Sequence, residues 1–409
     1  MTGPGGPGLR RRLSLFQVTL YGLGTTVGAG IYLLIGEVVK VAGMAAPSAF
    51  LVASILAAFT AFSFGELVSR FPESAGEAAY VEAGWGSRTL ATLVGLGVAL
   101  AGSISAAAMA VGFAGYLSEF VTWPEPVVVT CFVGLMMGIA AWGIGESVSI
   151  AGLFTLIEVG GLAVVIWVAR ESLAALPAHW GELVPLFRPH AWRGVGAASL
   201  LTFYAYLGFE DMVNVAEEVK GARRTLPLAI AITLSVTTAL YGLLAAVAVL
   251  IAPPAELAAS RAPLAFLYER ATGTPATGIA VVGTLAVVNG ALIQMIMASR
   301  VVYGLAARGH LPGVLARVSD RRGTPVVATS AVGALVLVLA LWLPLAPLAE
   351  GTSIVTLLVF VAVNLSLLRI KRRPEAGAPP FSVPRWVPLA GACSAAALLS
   401  IRFAETFRG

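Results

Sequence analysis

Charge is what this chain has least of. Only 11% of its 409 residues are charged, against 58% that are hydrophobic, where a soluble domain carries about 25% charged residues. That deficit excludes a water-soluble two-domain enzyme of this length. Cysteine is scarce as well: Cys131 and Cys393 are the only two, and both lie in apolar runs. They read as small buried hydrophobes, with no disulfide and no metal site expected. The three histidines, His179, His190 and His310, fall in predicted loops, away from other metal-ligand types. No catalytic residue, metal or cofactor is therefore expected. The net charge of +5 is no nucleic-acid patch, because basic residues do not interleave with exposed aromatics.

What the chain does have is long apolar runs and 45 glycines. Runs of about 20 apolar residues can span a bilayer. Eleven are expected, near 14–41, 46–69, 88–118, 126–144, 148–169, 194–216, 227–252, 276–306, 325–346, 351–370 and 386–403. The chain thus reads as an all-α polytopic membrane protein. Arg10, Arg11 and Arg12 precede the first run, which is too long for a cleavable signal peptide and reads as an uncleaved span. The Lys and Arg bias places the N-terminus inside: Arg70, Arg88, Lys220, Arg223, Arg224, Arg300, Arg308, Arg317, Arg321, Arg322, Arg369, Lys371, Arg372, Arg373 and Arg385 share its side. The outside keeps a sparser set: Lys40, Arg170, Arg188, Arg193, Arg261 and Arg270, with Arg402 and Arg408 beyond the eleventh span. The segment 72–86, with Glu73, Glu77, Glu82, Tyr80, Val81 and Trp85, is predicted to be a short amphipathic helix on the membrane surface.

Two apolar runs are interrupted by glycine. The first holds Gly22-Leu-Gly-Thr-Thr-Val-Gly28-Ala29-Gly30-Ile31, the second Phe203-Tyr-Ala-Tyr-Leu-Gly208-Phe-Glu210. Backbone groups cannot stay bare in lipid, so broken helices persist only where they line a cavity. Two such breaks, each early in its half of the chain, point to a transporter substrate site. Spans 1–5 begin with a broken helix and so do spans 6–10. An odd number of spans per repeat forces the repeats to be inverted, a five-plus-five arrangement with span 11 added. The expected organisation is a cytoplasmic tail (1–13), a first repeat (14–169), an extracellular loop (170–193), a second repeat (194–370), a cytoplasmic loop (371–385) and a last span with the C-terminus (386–409).

Four motifs resemble the amino acid–polyamine–organocation superfamily of secondary transporters. They are Gly24-Thr-Thr-Val-Gly28-Ala29-Gly30-Ile31; Glu66-Leu67 with Pro72, Gly76 and Tyr80; Tyr204 to Glu210 running into Asn214-Val-Ala-Glu-Glu-Val-Lys220, Arg224, Pro227 and Ile230; and Ser299-Arg300 through Tyr303, Ala306, Arg308, Gly309, Leu311 and Pro312 to Gly323-Thr-Pro325. Together they cover about 14–370. The resemblance implies a LeuT-like fold with helices 1 and 6 broken, in a multi-pass protein of the cytoplasmic (inner) membrane. It implies an amino acid permease working as a monomer by alternating access. The sequence departs from the family pattern in three places. Eleven spans stand where twelve are usual, Gly76-Glu77-Ala-Ala-Tyr80 replaces Gly-Gly-Ala-Tyr, and Glu158 takes a position that is lysine in many relatives.

Amide groups freed near Gly28–Gly30, at the positive end of a half-helix, suit a carboxylate. Carbonyls freed near Tyr204–Gly208 suit an ammonium group. An α-amino acid carries both on one carbon. The resemblance implies the carboxylate role for Ala29 and Gly30, and the amino-group role for Phe203, Tyr204 and Leu207. The expected binding set is completed by Thr25, Thr26, Gly28, Ile104, Ala108, Ala205 and Gly208. Its small apolar walls, Ala107 among them, favour a modest neutral side chain. Glu158 sits in mid-span, where a carboxylate is costly and marks function by default. It reads as a proton carrier, a cation ligand, a partner for a cationic substrate, or a neutral carboxyl held by Thr155. Glu210 reads either as a coupling group or as an acceptor for amides freed by the break. Asn289 and Gln294 face Glu158 or the cavity, or else bond a neighbouring helix. Glu66 and Arg300 are expected as an inner-gate pair.

These expectations amount to an amino acid symporter driven by protons, or by sodium. A polyamine or cationic amino acid carrier, or an exchanger, is the alternative within transport. A non-transporting sensor or partner subunit is the alternative from another class. A membrane enzyme lacks its nucleophile–base pair, and a channel lacks its repeated pore loop.

Overall fold

The computed structural model describes residues 13–72, 76–118, 120–142, 148–185, 189–319, 324–373 and 379–406. Arg10–Arg12, Glu73, Arg188, Arg321, Arg322, Gly323 and Arg408 lie outside them. So do the side chains of His190, Asn214 and Arg402.

Among the described residues the chain is helical, with a single isolated bridge between Leu13 and Val219. The first half comprises α1 (Leu15–Val27), α2 (Ala29–Ala42), α3 (Ala46–Arg70), α4 (Gly76–Trp85), α5 (Arg88–Leu117), α6 (Glu125–Trp142), α7 (Val148–Val168) and α8 (Leu176–Leu183). The second comprises α9 (Pro189–Tyr206), α10 (Ala222–Ile251), α11 (Pro254–Ala259), α12 (Pro263–Thr272), α13 (Thr277–Ala307), α14 (Val326–Trp342), α15 (Leu345–Ile370) and α16 (Trp386–Thr406). A 3-10 stretch, Glu210–Glu218, follows α9.

Six apolar stretches are long enough to cross a membrane, seven if the bent pair Gly152–Val168 and Arg170–Leu183 counts as one span. One of the six, Leu15–Arg70, contains the first two runs expected from the sequence, and Val326–Trp342 and Trp386–Ile401 are shorter apolar helices. The chain is a multi-pass membrane protein. Segment 170–193 is not a plain loop, since it holds α8 and the start of α9, and His179 lies within α8.

Local signals set the helix starts. Ser14 and Gln17 form a reciprocal capping box at α1, with the Ser14 amide donating to Gln17 Oε1 at 3.0 Å. Ser87 caps α5 by accepting from the Leu90 amide at 3.3 Å. Helices α5 and α13 lie side by side, α3 packs on α10, and α15 packs on α5. At the centre, Phe64 meets Tyr80, Phe209 and Phe360 edge-on at 6.1, 6.0 and 5.5 Å between ring centroids. Such edge contacts add about 0.5–1.5 kcal/mol each beyond area burial.

Three expectations are corrected here. Cys131 and Cys393 are exposed. An all-apolar membrane helix gives no sequence sign of which face meets lipid. Helix α4 does not lie on the surface: Glu77, Tyr80 and Val81 are buried where it packs on α5 and α15. Trp85 donates to Ser366 Oγ at 3.0 Å, and Arg373 donates to the carbonyls of Ala83 and Gly84 at 2.9 and 2.8 Å. Finally, Glu66 is fully buried and taken up elsewhere than by Arg300. Arg70 Nη2 and Lys371 Nζ approach it at 2.7 and 2.6 Å, and the Val383 amide donates to it at 2.8 Å.

Candidate functional site

Helix α1 stops at Val27 and α2 begins at Ala29, with Gly28 between them at φ −46°, ψ −143°. The N-terminus of α2 has no side-chain cap. Its first-turn amides are the groups that a helix leaves without internal partners. Across from them α9 ends at Tyr206, and Gly208 turns the chain at φ +120° into the 3-10 stretch. That angle is open to glycine alone, and a Cβ there would collide with the Thr25 carbonyl. The two interruptions touch directly. Thr25 Oγ1 donates to the Gly208 carbonyl at 2.9 Å, and a Cβ on Gly30 would lie 3.0 Å from Ala205 Cα. Tyr241 on α10 sits at the seam, its hydroxyl 2.9 Å from the carbonyl oxygens of both Thr26 and Ala205.

A small internal cavity opens at this seam. Thr25, Thr26, Gly28, Ala29, Gly30, Tyr204 and Leu207 line it, as do Gly24, Ser105, Met109, Gly290, Ile293 and Gln294. Seven of the twelve expected binding residues thus meet at one cavity. The other five stand behind or beside it. Ala108 is fully buried, Phe203 packs edge-on against Phe360, and Ile104 lies beside Gly351. Ala205 and Gly208 form the contact between the breaks. Thr26 Oγ1 is buried with no hydrogen-bond partner. Buried polar atoms are almost always paired, so an orphan on a cavity wall marks a place for a ligand or water.

Sequence reasoning missed Ser105, Met109, Gly290, Ile293 and Tyr241. Ser105 is the clearest: its hydroxyl lies 3.0 Å from that of Tyr204 and fixes the tyrosine at the wall. Helices α5 and α13 are apolar on every face, so periodicity gives no sign of which side meets the cavity.

Behind the seam, Glu158 of α7 is fully buried. Its Oε1 accepts from Asn289 Nδ2 at 3.2 Å, and its Oε2 has no partner. Its main-chain carbonyl accepts from the Tyr32 hydroxyl at 2.5 Å, and the Tyr32 carbonyl from Tyr116 at 2.8 Å. Of the options expected for Asn289, the contact with Glu158 is the one the structure shows. Glu210 accepts the Gly208 amide at 2.8 Å, so the carboxyl serves an amide freed by the turn. Among the described residues no group of three or more His, Cys, Asp or Glu side chains is placed to hold a metal ion.

Apolar helices of membrane length, folded around a small internal cavity where α1 gives way to α2 and α9 ends, fit a membrane transporter. The chain belongs to the amino acid permease family, whose model matches residues 13–406. It is 27% identical over 387 residues to the branched-chain amino acid permease of Bacillus subtilis (strain 168), covering 89% of this chain and 82% of that one. It is 32% identical over 395 residues to the vacuolar cationic amino acid transporter 4 of Arabidopsis thaliana, covering 91% and 65%. It is 28% identical over 409 residues to the methylthioribose transporter of Bacillus subtilis (strain 168), covering 95% and 87%. The chain spans only 60–65% of the length of the cationic amino acid transporters that it matches.

Proposed function

We propose that this permease is a proton-coupled amino acid symporter of the cytoplasmic membrane. It works as a monomer with its N-terminus inside, eleven spans and a five-plus-five inverted repeat. One observation carries the reading: the uncapped amides of α2 and the C-terminal end of α9 border the same cavity. The positive end of α2 attracts an α-carboxylate, at about 0.3–1 kcal/mol for an exposed site and more when buried. The carbonyl end of α9 attracts the α-ammonium. A molecule bearing both charges on one carbon bridges the two half-helices, and its binding energy favours the conformer in which they close on it. Alternating access then follows as one helix bundle rocks against the other.

Glu158 is the proton carrier in this reading, with Asn289 holding one of its oxygens and the other left to bear the proton. Glu210 acts at the turn and passes a change at Gly208 to the 3-10 stretch. Two of the relatives above are named for branched-chain and cationic amino acids. The unpartnered Glu158 oxygen favours a second reading for the cationic class, in which it faces the substrate's own charge. Competition of uptake by arginine or putrescine separates the two.

The test is uptake of labelled amino acids into proteoliposomes under an inward proton gradient, an inward sodium gradient, or neither. The proton gradient alone is expected to drive accumulation. Glu158→Gln is expected to abolish that accumulation while leaving exchange against preloaded substrate intact. Unchanged proton-driven uptake by the variant removes Glu158 from the coupling.

A further inference from the structure

Two further cavities lie in series on the side where α4 packs. The nearer, about 40 Å³, shares Ser105, Leu207 and Gln294 with the candidate site. The farther is a vestibule of about 430 Å³ bordered by Tyr21, Val215, Glu218, Arg300 and Arg308. Glu77, Val98, Asp211 and Met297 line both. These four side chains are the partition between the inner chamber and the vestibule, and two of them are carboxyls.

That is an unusual material for a wall. Glu77 is 6% exposed and Asp211 5%. Asp211 Oδ2 faces this region buried and without a hydrogen-bond partner. Among the described residues, no Lys or Arg lines the inner chamber to neutralise the pair. Glu210 also borders it, with one oxygen committed to the Gly208 amide. Helices α5 and α15 present only uncharged side chains there, Ser105, Thr352 and Thr356 being the polar ones. The cations that face the partition, Arg300 of α13 and Arg308 just after it, stand on its vestibule side with Glu218 and Tyr21. The carboxyls are not placed as a metal site. Burial pushes the Glu77 carboxyl up to about 7. A second carboxyl close by in the same poorly solvated place makes it harder still for both to ionise together.

We propose that Glu77 and Asp211 form the inner gate of the permeation path and hold it shut while they are protonated. The proposal rests on the transporter reading above. Protonated, the two carboxyls carry no charge and complete the wall with its apolar remainder, Val98 and Met297. Loss of these protons to vestibule water leaves two carboxylates. They repel each other, draw water from the vestibule, and are stabilised by the arginines on that side. A proton released from the site is thereby linked to opening toward the vestibule.

The test is thiol accessibility and needs no substrate, so a failure of amino acid uptake and a failure of the gate are read separately. In a background carrying Cys131→Ser and Cys393→Ser, Thr356→Cys reports the inner chamber and Val215→Cys reports the vestibule. A membrane-impermeant thiosulfonate is applied from the vestibule side of proteoliposomes. The ratio of the two labelling rates cancels the ionisation of the thiols themselves. A gate that follows one titration centred near neutrality goes from about 90% to about 10% closed over two pH units, so the ratio is expected to rise roughly fivefold to tenfold between about pH 6 and pH 8. Glu77→Gln and Asp211→Asn should hold the ratio low and flat, and Glu77→Asp should keep the rise. A flat ratio in the parent overturns the proposal, whether or not the variants fold. The same rise in Glu77→Gln overturns it too.

Discussion

Lys371→Met tests how the buried charges at the base of α3 are held. Glu66 is wholly buried, and Lys371 and Arg70 have side chains only 9% and 10% exposed. This is not a surface pair of the kind that contributes about 0–1 kcal/mol. Lys371 Nζ meets both Glu66 oxygens, at 2.8 and 2.6 Å, and donates to the Val383 carbonyl at 2.7 Å. Removing one partner of a buried pair costs about 3–5 kcal/mol when the other charge is left bare. Here Arg70 and the Val383 amide remain, which lowers the expected loss to about 2–3 kcal/mol. Glu66→Gln strands Lys371 in turn. The double variant keeps only the Arg70 charge beside the glutamine and should recover part of the loss, giving a coupling of about 2 kcal/mol, or roughly thirtyfold in the folded-to-unfolded ratio. The assay is denaturant unfolding of purified protein in micelles, followed by tryptophan fluorescence. Burial also predicts that added salt leaves the coupling intact, because screening acts mainly on solvent-exposed charges. A coupling below about 0.5 kcal/mol, the range in which independent sites add, refutes the reasoning.

Other expectations follow from the same geometry. Gly208→Ala combines a left-handed backbone angle with a collision against the Thr25 carbonyl, and should cost upwards of about 1–3 kcal/mol; retention of wild-type uptake and melting temperature would contradict it. Tyr241→Phe leaves the Thr26 and Ala205 carbonyls without their shared donor, a loss of about 1–3 kcal/mol; a weaker substrate affinity with normal folding is the expected readout by binding titration. The Glu77 carboxyl, raised by burial from an ordinary 4.5 to about 7, binds its proton more tightly when folded. Its ionisation therefore adds no penalty to folding below about pH 4.5, and a growing one develops as pH rises toward about 7. Glu77→Gln should remove that slope, so its thermal midpoint relative to the parent should rise from pH 5 to pH 8.

The helices were legible because apolar runs of this length have few other uses. Glycine clusters inside such runs are costly without a purpose, and they fall where α1 gives way to α2 and just after α9 ends; Glu158 stood out as a lone carboxyl in an apolar run. Its contact with Asn289, 131 residues away, was named only as one option, since spacing on α13 does not say which neighbour a side chain meets. The partner of Glu66 was misread for the same reason. Position near a membrane end identified it as a gate candidate, but its partners are Arg70 on its own helix and Lys371 from the segment after α15. Helix α4 was misplaced because one face of a surface helix and one face of a buried one carry the same residues. The chamber residues Ser105 and Gln294 sit on helices without an apolar stripe, and only packing decides which side is inward.

The main chain supplies the last constraint. The Leu13 amide donates to the Glu218 carbonyl at 3.0 Å, and the Lys220 amide donates to the Leu13 carbonyl at 2.9 Å. These two bonds fasten the foot of α1 to the far end of the 3-10 stretch. Substitution by anything but proline leaves these two main-chain bonds their donors and acceptors. The link between the two arms therefore does not depend on the side chains that line the cavity.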